Sequence, residues 1–202
     1  MAPSEAQDVT TLRPMVLDRG LIDSPLPPIV RAGDPVLRQP ASAVRREDIL
    51  TPKMQRLVHT MVEVMHRAPG VGLAAPQIGV PLRVIVVEDQ TRQAPGADAL
   101  AAADPRQRDG VPLLALFNPE LQRLKGAKKA THHEGCLSVP GYSAEVARDL
   151  EIMVSGLDHN GEPLRLIARG WAARIFQHEC DHLKGTLYVD KMNPRSLTAD
   201  GR

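Results

Sequence analysis

Gln177-His178-Glu179-Cys180-Asp181-His182-Leu183 is the stretch on which the reading of this chain turns. On an α-helix, about 100° per residue brings the imidazoles of His178 and His182 within about 40° of each other, one turn apart. Two neutral imidazoles at that spacing can share one metal ion. Glu179 stands beside them, where its carboxylate can exchange protons with a water held by such an ion. Helical period is visible on both sides. Trp171, Ala172, Ile175, Phe176, Cys180 and Leu183 recur at mixed spacings of three and four, and Gly185 is a stop signal. The plainer reading is a helix that carries two histidines and a glutamate by chance.

Working outward, Gly170 opens this helix. Val146 to Gly156 and Leu164 to Ala168 read as strands joined at Asp158-His159-Asn160-Gly161, where Asn-Gly is a hairpin signal and His159 is expected in solvent. Leu82 to Val87 and Leu113 to Asn118 read as two more strands. Asn118-Pro119 is expected to end the second, with a third starting at Leu121. Asp89 to about Gly110 reads as a long exposed loop. Further back, a helix capped by Asp48 or Thr51 runs to about Arg67, with Met54, Leu57, Val58, Met61, Val62 and Met65 at helical period. His59 and His66 are expected at its surface or rim. Residues 1–28 hold five prolines among scattered charges and read as an extended or partly ordered extension, with a docking arm as the alternative. From Ile29 the chain reads as compact, and 196–202 as a tail. Strands without regular helix alternation argue an α+β fold. The expected architecture is largely antiparallel sheet around a central C-terminal metal-binding helix, with the long N-terminal helix packed nearby.

The chain has 202 residues, a net charge of +1 and two cysteines. That length supports one domain with a core, which must be aliphatic because aromatics are few. Near-neutral, alternating charge argues against sequence-specific nucleic acid or a membrane surface as the main partner. No apolar run approaches the roughly 18 residues of a membrane span. The first residues resemble no secretory signal, so the expected compartment is cytoplasmic. There a disulfide between Cys136 and Cys180 is not expected.

A catalytic metal usually has three protein ligands and an open position. Beside His178 and His182, the third could come from Cys136, Cys180, Glu134, His132 or His133. Cys180 lies about 200° round the helix from His178, which assigns it to the core. Cys136, in what reads as a separate polar loop, can swing to the site. Gly70-Val71-Gly72-Leu73-Ala74-Ala75-Pro76-Gln77 is built of small residues that let another backbone approach. It lacks the pattern of a phosphate loop, and Gln77 is its one strongly hydrogen-bonding side chain.

Gly-Val-Gly-Leu-Ala-Ala-Pro-Gln at 70–77, Glu-Gly-Cys-Leu-Ser at 134–138 and Gln-His-Glu-Cys-Asp-His at 177–182 resemble the three motifs of peptide deformylases, in the same order. The resemblance extends over roughly residues 29–195. It implies removal of the formyl group from the N-terminal formylmethionine of new polypeptides, with these nascent peptides, and the ribosome near its exit tunnel, as partners. It implies Cys136, His178 and His182 as metal ligands and Glu179 as general acid/base. Gln77 and the Leu137 N–H would form the oxyanion hole, and Gly72 would lie in the strip that pairs with substrate backbone. Val71, Leu137, Trp171 and Ile175 are available to line a methionine pocket. Spacing alone suggests zinc. The resemblance implies ferrous iron, with zinc, nickel or cobalt as substitutes. Ser143 and Ala147 stand where many members carry arginine and proline. A metallopeptidase using the same H-E-x-x-H is the competing enzyme reading, but it leaves Glu-Gly-Cys-Leu-Ser and Gln77 unexplained.

Overall fold

The structure is a computed structural model that describes residues 6–93, 104 and 106–200. Residues 94–103 and 105 of the loop expected from Asp89 to Gly110 lie outside the described residues. Strands β1 (Gln7–Asp8), β2 (Gly72–Ala74), β3 (Val84–Asp89), β4 (Val111–Arg123), β7 (Glu151–Leu157) and β8 (Pro163–Arg169) form a six-stranded sheet in the order β1-β8-β7-β4-β3-β2. Strands β5 (Lys129–Cys136), β6 (Val139–Asp149) and β9 (Thr198–Ala199) form a three-stranded sheet. Among the described residues every strand pair is antiparallel except β1 with β8. The fold is mixed α+β.

After a short turn, α1 (Arg46–Ile49), comes α2 (Pro52–Arg67). Proline at its first position costs nothing, because the amide it lacks would have no helical partner. Asp48 belongs to α1, and Thr51 uses its hydroxyl to donate to the Asp48 carbonyl at 2.6 Å, so neither caps α2 with a side chain. Helix α3 (Gly170–His182) carries both histidines. It touches β2, β3, β4, β7 and β8 of the larger sheet and β6 of the smaller one, so it lies between them.

The period of two in a strand explains how the large sheet holds two helices. Val84, Val86, Ala115 and Phe117 point to the face packed under α2, with Met61, Val62 and Met65. Ile85, Val87, Leu114 and Leu116 point to the other face, with Ala173, Phe176 and Cys180 of α3. A strand buried on both faces reads as a continuous apolar run, as Val84-Ile85-Val86-Val87 does. Burying each such side chain contributes roughly 1.5–3 kcal/mol.

Several elements differ from the sequence expectations. Asn118-Pro119 does not end β4. Asn118 takes a positive φ of 51°, its side-chain amide exchanges hydrogen bonds with the Val44 backbone, and a register shift between Phe117 and Glu120 lets the strand continue. Its first half pairs with β3 and its second half with β7. The run from Val146 to Gly156 is two strands, because the chain leaves the small sheet at Leu150 and enters the large one. Cys136 ends strand β5 and does not sit in a free loop. His59 is buried and accepts the Asp18 N–H at Nδ1 (2.9 Å), so it is not a rim residue. That bond helps tie down residues 6–28, which wrap the body: Gln7–Asp8 join the sheet, Val9 and Met15 are buried, and the Asp23 N–H donates to the Thr60 hydroxyl.

Candidate metal centre and its cavity

Strand β5 delivers Cys136, and the exposed-to-buried turn of α3 delivers His178 and His182. One donor atom from each lies within 4.8 Å of the others. Cys136 Sγ and His182 Nε2 are 3.3 Å apart. An ion about 2.3 Å from sulfur and about 2.1 Å from nitrogen, in tetrahedral geometry, separates such donors by about 3.6 Å. The cluster therefore fits a divalent ion in both spacing and donor chemistry. His178 Nδ1 lies 3.0 Å from Glu134 Oε2; a bond donated from Nδ1 there would leave Nε2 free to ligate an ion. Burial lowers the His178 pKa, and hydrogen bonds to Cys136 and Glu134 more than reverse it. The partners that favour a proton at His178 would equally favour a cation there. Burial, helped by the charges of His178 and Arg148, holds His182 well below its usual range, in the neutral form that ligates.

Glu134 was one candidate for the third ligand. Instead its carboxylate is committed elsewhere: it accepts from Arg148 Nε and Nη2 (both 2.9 Å) and Arg174 Nη1 (2.5 Å) as well as from His178. Arg148 continues to Asp181, and Asp181 to Lys191 at 2.6 Å. Burial would raise the Glu134 pKa, but the bonds to Arg148 and His178 hold it well below the carboxylate range. His132 and His133 are outside the cluster. Cys180 is 2% exposed in the core, where burial pushes its thiol up to about 12.

Glu179 is buried beside the cluster, and burial pushes its pKa to about 7. Its Oε2 has no hydrogen-bond partner among the described residues. It lies over the backbone of β2: a Cβ on Gly72 would sit 2.4 Å from Glu179 Oε1. Only glycine leaves the carboxylate that position. Gln77 is 2% exposed, and its Oε1 accepts the Ala74 N–H at 2.8 Å. That fixes the amide so that Nε2 points to Ser138 Oγ (3.3 Å) and Cys136 Sγ (3.6 Å). These groups open on one cavity of about 500 Å³, whose walls include Val71, Gly72, Leu137, Trp171 and Ile175. The Cys136/His178/His182 cluster thus meets Glu179, Gln77, Gly72, Val71, Leu137, Trp171 and Ile175 at one place, whereas Cys180 and His132 lie elsewhere.

The profile of the family described as polypeptide deformylase matches residues 26–197. The chain belongs to this family. Among similar members of the deformylase family is the chloroplastic peptide deformylase 1A of Solanum lycopersicum, 51% identical over 85% of this chain and 61% of its own length. Peptide deformylase 1 of Streptomyces coelicolor is 46% identical over 89% of this chain and 78% of its own. The match thus spans about three fifths of the tomato protein. A deformylase structure from Synechococcus elongatus, in complex with actinonin, superposes with a TM-score of 0.69 at 38% identity, covering 85% of this chain and 83% of that one. The class I type b deformylase of Acinetobacter baumannii with Met-Ala-Ser bound gives 0.71 at 31% identity, covering 84% and 100%.

Sequence reasoning missed Arg148, Arg174 and Asp181 as members of the site. One signal existed: Arg174 precedes His178 by one helical turn, so a charged group had to share the histidine face of α3.

Proposed function

We propose that this chain is a metal-dependent hydrolase that removes the formyl group from the N-terminal formylmethionine of newly made polypeptides, releasing formate. The observation that carries this reading is the convergence of Glu179, Gln77 and the Cys136/His178/His182 cluster on one cavity bounded by a sheet edge. Cys136, His178 and His182 are the proposed ligands of one divalent ion, ferrous iron in preference to zinc, nickel or cobalt. When bound, the ion supplies Lewis acidity toward water and carbonyl oxygen. Glu179, apolar-buried and unpartnered at Oε2, takes a proton from the attacking water as oxygen bonds to the formyl carbon. Gln77 Nε2 and the Leu137 N–H stabilise the developing oxyanion, at about 3 kcal/mol per donor. Glu179 then returns the proton to the leaving nitrogen as the C–N bond breaks.

The free edge of β2 at Gly72 offers backbone groups to an extended peptide, and Val71, Leu137, Trp171 and Ile175 form an aliphatic and aromatic slot for an unbranched methionine side chain. Residues 29–195 are the proposed catalytic unit, with α2 as its supporting helix. The proposed setting is cytoplasmic, near the ribosomal exit, without sequence-specific nucleic-acid or membrane binding. Among the described residues no helix is long and apolar enough to cross a membrane.

The test is an anaerobic formate-release assay on formyl-Met-Ala-Ser beside an aminopeptidase assay on Met-Ala-Ser. Formate without free amino acid supports the proposal; amino-acid release selects a metallopeptidase. Aspartate in place of the substrate methionine should sharply lower kcat/KM. Metal analysis tests the ligand set: Cys136→Ala should lose the ion and Cys180→Ser should keep it.

A further inference from the structure

The C-terminal segment brings a charge to the cavity that the proposed reaction does not use. Thr198 and Ala199 pair with Ser143 and Tyr142 at the edge of the small sheet, and the Asp200 N–H donates to the Gly141 carbonyl at 2.9 Å. This strand addition sets Asp200 in the wall of the catalytic cavity, beside Gly141 and Pro140. The other charges lining that cavity are already committed: Glu134 and Arg174 bind each other at 2.5 Å, and His178 and Glu179 belong to the centre. Apart from the exposed His133, Asp200 is thus the one solvent-facing ionisable side chain of the wall, and no ion pair holds it among the described residues. Ser143, opposite Thr198, supplies no countercharge.

A formyl-blocked N-terminus carries no ammonium, so an anion at the mouth can read only side chains further along the peptide. An extended chain advances about 3.3 Å per residue, which carries the second and third side chains from the centre toward the mouth. We infer that Asp200 is a specificity-determining residue that favours lysine or arginine over aspartate or glutamate at the second or third position of the nascent chain. This inference rests on the proposed deformylation. Because Asp200 is exposed, the preference is modest, about two- to fivefold, and is screened by salt.

The experiment compares kcat/KM for formyl-Met-Lys-Ser against formyl-Met-Glu-Ser, and for formyl-Met-Ala-Lys against formyl-Met-Ala-Glu, in the full chain and in Asp200→Asn. At one position the lysine-to-glutamate ratio should be about two to five, carried mostly by KM. It should fall toward one in Asp200→Asn, and in the unaltered chain at about 1 M salt, where the screening length is about 3 Å. A ratio near one in the unaltered chain, or a ratio unchanged by Asp200→Asn, overturns the inference. Formyl-Met-Ala-Ser separates the two levels: no formate from it overturns the deformylase reading itself, whereas formate with an unchanged ratio overturns only the role of Asp200.

Discussion

The buried side chains packed at α2 include Val58, Met61, Val62, Met65, Val84, Val86 and Phe117; those between α3 and the small sheet include Glu134, Arg148, Arg174 and Asp181 beside the apolar Ala144 and Val146. Both regions exclude water. The first is held by area and shape, so each side chain contributes its own burial and neighbours can adjust. The second is held by mutual satisfaction. Each charge is tolerable only while its partners remain, since removing one leaves another buried and unpaired. The difference teaches where stiffness is spent. The polar region ends on His178, a proposed ligand, whose ring orientation it sets through Glu134.

The hardest test of that contrast is Arg148→Met, which keeps length but abandons Glu134 and Asp181. We expect a loss of about 3–5 kcal/mol in denaturant unfolding. A loss under about 1 kcal/mol would erase the distinction between the two regions. Glu179→Gln comes next, because Glu179 Oε2 has no hydrogen-bond partner among the described residues, so the change breaks no protein bond at that oxygen. The variant should unfold near the parent midpoint and keep its metal, yet lose at least about 10²-fold in kcat, or about 2.7 kcal/mol, with a much smaller change in KM. Retained kcat with metal bound would remove Glu179 as the base; lost metal would redraw the ligand set. Met61→Leu probes the aliphatic side and should cost less than about 1.5 kcal/mol. A cost matching Arg148→Met would mean that shape is as unforgiving there as charge. The smallest effect belongs to Lys191→Met. Its side chain is 44% exposed, so its bond to Asp181 is screened and the loss should stay below about 1 kcal/mol. A larger loss would extend the intolerant region to the surface.

The aliphatic region was legible in the sequence because its pattern is local. The apolar positions of α2 repeat at helical period, and Val84-Ile85-Val86-Val87 announces a strand buried on both faces. The helical phase of α3 likewise separates His178 and His182 from Cys180 without a structure. The polar region was not legible, because its partners are far apart in sequence: Arg148 reaches Glu134 across fourteen positions and Asp181 across thirty-three. No spacing rule links them. The strand limits failed for a related reason. Asn118-Pro119 is a local stop signal, and the Val44 backbone that captures the Asn118 side chain and carries β4 onward comes from elsewhere. His59 looked like a rim residue until the Asp18 amide covered it.

Strand β2 is the last strand of its sheet, three residues long, and all three residues are buried. An open row of amides and carbonyls is ordinarily an invitation to self-association, since any extended chain can template on it. Here the row is sunk into a cavity wall, with Glu179 crossing above Gly72 and Leu137 close beside Gly70. A partner sheet would have to bring its whole edge past those walls, whereas a single extended chain would not. The recess thus makes the edge safe against aggregation while keeping it indifferent to sequence, because what it presents to a visitor is main chain, the one feature that all polypeptides share.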